Sequence, residues 1–289
     1  MAKLDLHWLI ARADSLPTLP IIAQRVGELI DDPNSSAQDV AAAMRDDQSL
    51  TARVLALVNS AYYAVPGGIG DVGRAVSFLG YNTVYQLVLT VSVFDALPVV
   101  PGTAFDIKEL WKHSLGCAIA SEIIAKHLKM EAPEEVFTAG LLHDIGKVLL
   151  ASAADRTLVD VVSRAAKSGI SYVESEKLSG LPPHDVVGLH LAEKWRLPGR
   201  VAAGIGYHHR LQASRIRLPR ILHGVVDVVA LGDAICRRAE LGNGGDEIIE
   251  AVDRALLDRL NLSQLALGKI EDEIPRTIEN SQIFLEVLA

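Results

Sequence analysis

The sequence predicts an all-α fold, and three observations carry that expectation. Apolar residues recur at three- and four-residue spacing in nearly every segment. Hydrophobic residues fill 49% of the 289 positions but aromatics only 5%, so the interior must be Leu, Val, Ile and Ala, a mixture that favours packed helices. No β-hairpin signal, internal repeat or low-complexity tract interrupts the series. A chain of this length can bury a sizeable core, as one large domain or two medium ones.

The first helix is expected over 20–30, where Asp31-Asp32-Pro33-Asn34 stops it. Ser36, three residues before Asp39, makes a capping arrangement for a helix to position 44. Another apolar helix covers 49–60, and the segment 66–73, with four glycines, reads as an irregular loop. A short helix over 73–79 and a longer one over 82–97 complete an N-terminal helical lobe, residues 1–104. Leu97-Pro98-Val99-Val100-Pro101-Gly102 looks like a boundary or crossover. Helices at 106–129, 133–150, 154–168, 183–196, 198–207 and 219–241 make a second lobe, residues 105–241. Three of them begin at or just after a proline, whose fixed φ suits a first helical turn. Gly242-Asn243-Gly244-Gly245 reads as a turn or linker into a C-terminal helical extension, 242–289, with helices over 246–260 and 262–288.

Composition narrows the function. A net charge of −8 argues against a broad nucleic-acid surface, because neutralising phosphates needs a basic face. The start, Met1-Ala2-Lys3-Leu4-Asp5, lacks the charged region and apolar run of a signal peptide. Residues 75–94 carry no charge over about the length that crosses a bilayer. Gly80, Asn82, Thr83 and Gln86 within that run favour a buried helix. Two cysteines, Cys117 and Cys236, make no disulfide framework and read as small buried residues at helix interfaces. The expectation is a soluble cytoplasmic protein that binds neither nucleic acid nor membrane.

The chemistry lies in dispersed histidines and aspartates: His113, His143-Asp144, His184, His208-His209 and Asp233. Imidazole and carboxylate suit iron, manganese, zinc and similar ions. Seven such ligands are enough for two metals sharing Asp144, since only a carboxylate has two oxygens to divide. His208 and His209 point roughly 100° apart on a helix, so both reach one ion only if the helix ends there. Asp227 competes with Asp233 as the last carboxylate, but six residues apart they occupy different helix faces. Lys147, one turn after His143, is either a solvated helix-end lysine or a charge for substrate phosphate. Arg210, Arg215, Arg217 and Arg220 are either a solvated basic loop or a phosphate-binding entrance, with Arg210 and Arg215 nearest the histidines in sequence. The first hundred residues hold no comparable cluster.

Several fragments, in order, carry a family resemblance: Leu16-Pro17-Thr18-Leu19-Pro20, Asp32-Pro33 with Ser35-Ser36, and Asp46-Asp47-Gln48-Ser49-Leu50-Thr51. Asn59-Ser60-Ala61-Tyr62-Tyr63, Ala75-Val76 and Leu79-Gly80 continue the pattern. Over residues 14–240 the chain resembles the HDOD family, an all-helical branch of the HD phosphohydrolase superfamily associated mostly with bacterial signal transduction. Many HDOD members look to have lost the metal ligands, whereas Leu142-His143-Asp144-Ile145-Gly146-Lys147 matches the HD signature with its lysine. His184, Gly188, Leu197-Pro198 and His208-His209 resemble the corresponding stretch of HD-GYP phosphodiesterases. The Gly-Tyr-Pro triplet is absent; Arg210-Leu211-Gln212-Ala213-Ser214 follows His209 instead, which puts cyclic-di-GMP hydrolysis in question.

The resemblance implies a multi-helical HD-superfamily domain with a dinuclear metal site. One ion would be held by His113, His143, Asp144 and Asp233, and a second by Asp144, His184, His208 and His209. Iron or manganese is favoured over zinc or nickel as the divalent pair. The implied function is a regulatory protein that is also a metal-dependent phosphohydrolase or phosphodiesterase on an unknown phosphate-containing small molecule, with Asp144 and Lys147 catalytic. The alternative is a non-catalytic module in which a structural or sensing metal accompanies a signalling protein partner.

Overall fold

The computed structural model describes residues 6–97, 103–246 and 252–288, and these contain helices, 3-10 turns and loops but no strand. In chain order the helices are α1 (Leu6–Asp14), α2 (Ile21–Asp31), α3 (Ala37–Met44), α4 (Gln48–Val58), α5 (Val72–Leu79) and α6 (Tyr81–Ala96). They continue with α7 (Ile107–His127), α8 (Pro133–Leu142), α9 (Ile145–Ser168), α10 (Tyr172–Ser179), α11 (His184–Lys194) and α12 (Gly199–Tyr207). The last are α13 (His223–Arg238), α14 (Arg254–Arg259), α15 (Gln264–Glu279) and α16 (Gln282–Leu288). The expected fold class is therefore the observed one.

Two compact units divide the chain, Met1–Leu16 with Pro98–Pro275, and Pro17–Leu97 with Arg276–Ala289. In the second unit, α2, α4 and α5 pack on α6, α3 joins α2 and α5, and α16 returns to α4. Ser36 caps α3 in a full capping box with Asp39, and Asp47 and Asp71 cap α4 and α5. The uncharged run 75–94 is split at Gly80, where φ is 85°, leaving α6 as a 16-residue helix buried on almost every face. That is shorter than the ~20 residues a bilayer-spanning helix needs.

The first unit is built around α7, which packs on α8 and α13; α12 lies against both, and α11 links α12 to α9. The described stretch long and apolar enough to cross a membrane, Pro133–Ser168, has 89% of its apolar window buried in the protein. Four local differences from the sequence reading stand out. A helix expected over 133–150 breaks at His143 and Asp144. The break expected near 154 is a kink in α9 at Ala154, with φ −147° and ψ 36°. The final helix expected over 262–288 is interrupted between α15 and α16. Helices α1 and α10 occupy segments where none was expected; α10 is short and polar, started by the Ser171 side chain accepting from Glu174 N and closed by Gly180 at φ 76°. The crossover segment 98–102, the start at 1–5 and part of the helix expected over 246–260 lie outside the described residues.

Helix α1 buries Leu9 and Ala13, and its last carbonyls are satisfied from another helix. Lys194 Nζ of α11 donates to the carbonyls of Ala13, Asp14 and Leu16 at 2.8, 2.8 and 2.7 Å. Replacing Lys194 by Met removes these donors and should lower the local stability of α1 by about 1–2 kcal/mol. Amide hydrogen exchange over residues 9–14 measures that; unchanged protection would show that apolar burial alone holds α1.

Candidate metal centre

The seven sequence-predicted ligands come from five places on the helices of the first unit. His113 lies on α7 and Asp233 on α13, His143 and Asp144 form the break between α8 and α9, and His184 opens α11. His208 and His209 follow directly after α12, which ends at Tyr207, with His208 as its C-cap. All are buried except His209, which is half-buried. Their ligand atoms fall into two groups, each within 4.8 Å: Asp144 with His184, His208 and His209, and His113 with His143 and Asp233.

The helix break sets this geometry. Asp144 stands at the N-cap of α9, but its side chain makes no capping bond and turns inward. Oδ1 lies 3.2 Å from His184 Nε2 and 3.8 Å from His208 Nε2, while Oδ2 lies 3.4 Å from His143 Nε2. The two oxygens thus face the two ligand groups separately. Gly146 allows α11 to come this close: a Cβ there would sit 2.0 Å from the His184 carbonyl oxygen and 2.9 Å from Gly188 N.

The atoms left over test whether metals fit. His143 Nε2, Asp144 Oδ1, His184 Nε2 and His208 Nε2 are all buried without a hydrogen-bond partner. Such atoms are rare in folded proteins and each costs about 1–3 kcal/mol unless something satisfies it. The opposite ring nitrogens are engaged, His143 Nδ1 with Gly140 O at 2.7 Å and His208 Nδ1 with Gly204 O and Ile205 O at 3.0 Å. A ring nitrogen facing a carbonyl must carry the proton, which frees the Nε2 lone pair for a metal ion. His184 Nδ1 meets the Glu176 carboxylate at 3.1 Å, and Glu176 Oε1 also accepts the His184 peptide N–H at 2.9 Å.

The electrostatics prepare four of the ligands for a metal and leave two histidines protonated. Burial opposes ionisation of Asp144, yet the Lys147 ammonium and His143 hold its pKa well below the usual carboxylate range. Burial likewise opposes Asp233, and Arg237 with His113 outweighs it. Burial, then the adjacent His143 and His184 rings, pushes His208 down to about 3; His209 is lowered by burial and by His208. Burial alone would also lower His184, but Glu176 and then Asp144 lift it to about 9. Ionised Asp144 and Asp233 beside neutral His208 and His209 are protonation states that metal ligation requires. Burial opposes charge on His143 too, but Cys117 and then Asp144 raise it well above the usual histidine range, so His143 and His184 must both give up a proton and metal affinity should rise with pH.

Three residues that the sequence reading passed over belong to the site. Glu176 sits on the unexpected α10 and orients His184. Tyr172, on the same helix, is fully buried, donates to Glu176 at 3.3 Å and lies 4.2 Å beneath Lys147 Nζ. Gly244, in the expected linker, covers the centre: a Cβ there would lie 3.0 Å from His113 Cδ2 and 3.2 Å from Asp144 Oδ2. The signal available for that loop was its run of glycines, which fits a close backbone approach as well as a flexible turn.

Lys147 is buried, not solvated, and donates to Asp144 Oδ2 at 2.7 Å and to the Gly244 carbonyl at 2.8 Å. Arg210 donates from Nε to Asp185 at 3.1 Å and stacks on Tyr207 at 4.7 Å. Arg215, expected either in a solvated loop or at a phosphate-binding entrance, is instead buried in an ion pair with Asp227 at 2.8 Å. Desolvation of both partners commits that arginine to the carboxylate. Asp227 is also gripped by Arg259 at 3.0 Å and belongs to this network, apart from the His–Asp groups. Cys117 and Cys236 are buried free thiols.

A sequence model of the HDOD domain matches residues 16–211. An uncharacterized protein of Treponema pallidum (strain Nichols) is 26% identical over 247 residues, 85% of this chain. The chain spans about half of that relative, 46% of its length. An HDOD domain protein of unknown function from Geobacter sulfurreducens has a TM-score of 0.71 at 27% identity, covering 97% of both chains. A candidate phosphohydrolase from Shewanella amazonensis SB2B has a TM-score of 0.71 at 25% identity, covering 97% of this chain and 98% of its own.

Glu176 gives the centre its sharpest mutational test. Glu176→Gln keeps the shape but removes the charge that orients His184, and should weaken metal affinity about 10- to 100-fold with the helical content unchanged. Chelator competition measures this; unaltered affinity would mean that His184 is not a ligand.

Proposed function

The chain belongs to the HDOD family, and on that footing we propose that it binds two divalent metal ions and hydrolyses a phosphate ester as part of a regulatory role. The convergence of four buried, unpartnered atoms from His143, Asp144, His184 and His208 carries this reading. One ion would lie among His113, His143, Asp144 and Asp233, the other among Asp144, His184, His208 and His209. The imidazole and carboxylate donors suit iron or manganese, and also zinc or nickel. Ions bound there would polarise a phosphoryl group and lower the pKa of an attacking water.

The chain's own residues do the rest. Asp144 offers one oxygen to each ligand group, and Glu176 fixes the ring orientation of His184. Tyr172 and Gly244 keep bulk water from Asp144, which strengthens every charge interaction inside. Lys147 orients the Asp144 carboxylate and supplies a cation beside it for a phosphoryl oxygen, so Asp144 and Lys147 are the proposed catalytic pair.

One observation favours a second reading. The cavity over His113, Asp144 and Asp233 is only about 10 Å³, with Gly244 and Lys147 among its lining residues. A centre this enclosed suits a structural or sensing metal in a non-catalytic module that docks a signalling protein.

Protein purified without a tag or chelator should hold about two metal ions per chain and cleave a chromogenic phosphate mono- or diester. Asp144→Asn, with unchanged circular dichroism, should lose about 100-fold or more of that turnover. Equal turnover in the variant would sink the catalytic reading. Two ions per chain with no cleavage of either ester would favour the second.

A further inference from the structure

An open cleft of about 270 Å³ adjoins the metal centre, with His209 and Asp233 in its lining. Arg210 and Arg259 line it too, together with the small or apolar side chains of Ala230 and Leu256. Both arginines are held by buried carboxylates. Arg210 uses Nε on Asp185, and Arg259 uses Nε and Nη2 on the two oxygens of Asp227. A guanidinium has five N–H donors. Among the described residues, no acceptor takes the Nη donors of Arg210 or the Nη1 donors of Arg259. Asp253 also lines the cleft, but its carboxylate caps α14 by accepting from Ala255 N at 2.9 Å.

The carboxylate anchors fix where the unused donors sit before any ligand arrives, which cuts the ordering cost of binding. Forked donors of this kind fit the oxygens of a phosphate better than a point charge does. The ligand's body can rest on Ala230 and Leu256, which line the same cleft. Arg259 and α14 fall beyond residues 16–211, the stretch matched by the family.

We propose that this cleft is a second anion subsite, in which Arg210 and Arg259 bind a phosphate distal to the one at the metal centre. The substrate is then a small molecule with two phosphate groups on a compact body, not a simple monoester. This rests on the reading that a phosphate ester binds at the paired metal site, and it adds what that site alone does not specify.

The test uses the metal-loaded full chain and two non-hydrolysable probes, propane-1,3-bisphosphonate and propylphosphonate, titrated by calorimetry. The bisphosphonate should bind about tenfold more tightly, as one added charge-assisted contact predicts. Arg210→Gln with Arg259→Gln should erase that preference while metal content and propylphosphonate affinity stay unchanged. Asp227 keeps Arg215 in the double variant, so no buried carboxylate is stranded by the Arg259 change. If the pair lowers the melting temperature, Arg259→Gln alone should still reduce the preference several-fold. Equal affinity for the two probes, or a preference that survives both variants, overturns the subsite while leaving the metal reading intact. Failure of both probes to bind metal-loaded protein overturns the two readings together.

Discussion

A carboxylate buried among imidazoles is costly unless each oxygen is matched, and Asp144 puts the whole centre under that constraint. Its oxygens face different ligand groups, and Lys147 compensates one of them at 2.7 Å. The α8–α9 break follows from it, because a continuous helix would tie His143 and Asp144 to directions about 100° apart and pair their backbone groups away from the site. So does the need for glycine at 146, where α11 must bring His184 against the start of α9.

Around Asp144 the unit arranges complementary protonation states rather than a generic polar core. His208 and His209 are held neutral by burial and by neighbouring rings, and Asp233 is held ionised against burial by Arg237 and His113. Glu176 and Tyr172 back up His184 from behind. A site that leaves several buried lone pairs converging, each with its opposite ring nitrogen tied down, is organised to receive cations. Removing Lys147 or Arg237 would leave a buried carboxylate without its cation.

Much of this was legible in the sequence because histidine and aspartate in the His143-Asp144 pattern are informative wherever they fall. The break between His208-His209 and α12 was legible too, as a requirement of both rings reaching one point. Glu176 was not: it lies in a polar stretch without apolar periodicity, and its role exists only through contact with His184 eight residues later. Gly244 reads locally as a turn, and its place over Asp144 is a tertiary fact. Neither alternative for Arg215 anticipated its burial, because local charge density does not reveal that Asp227, twelve residues away and initially a rival for Asp233, takes its guanidinium.

The central claim is that Asp144 divides its two oxygens between two metal ions. Anomalous scattering from crystals of metal-loaded protein addresses it directly. The account predicts two peaks ~3.5–4 Å apart with one Asp144 oxygen on each. A single peak, or both oxygens on one ion, would contradict it.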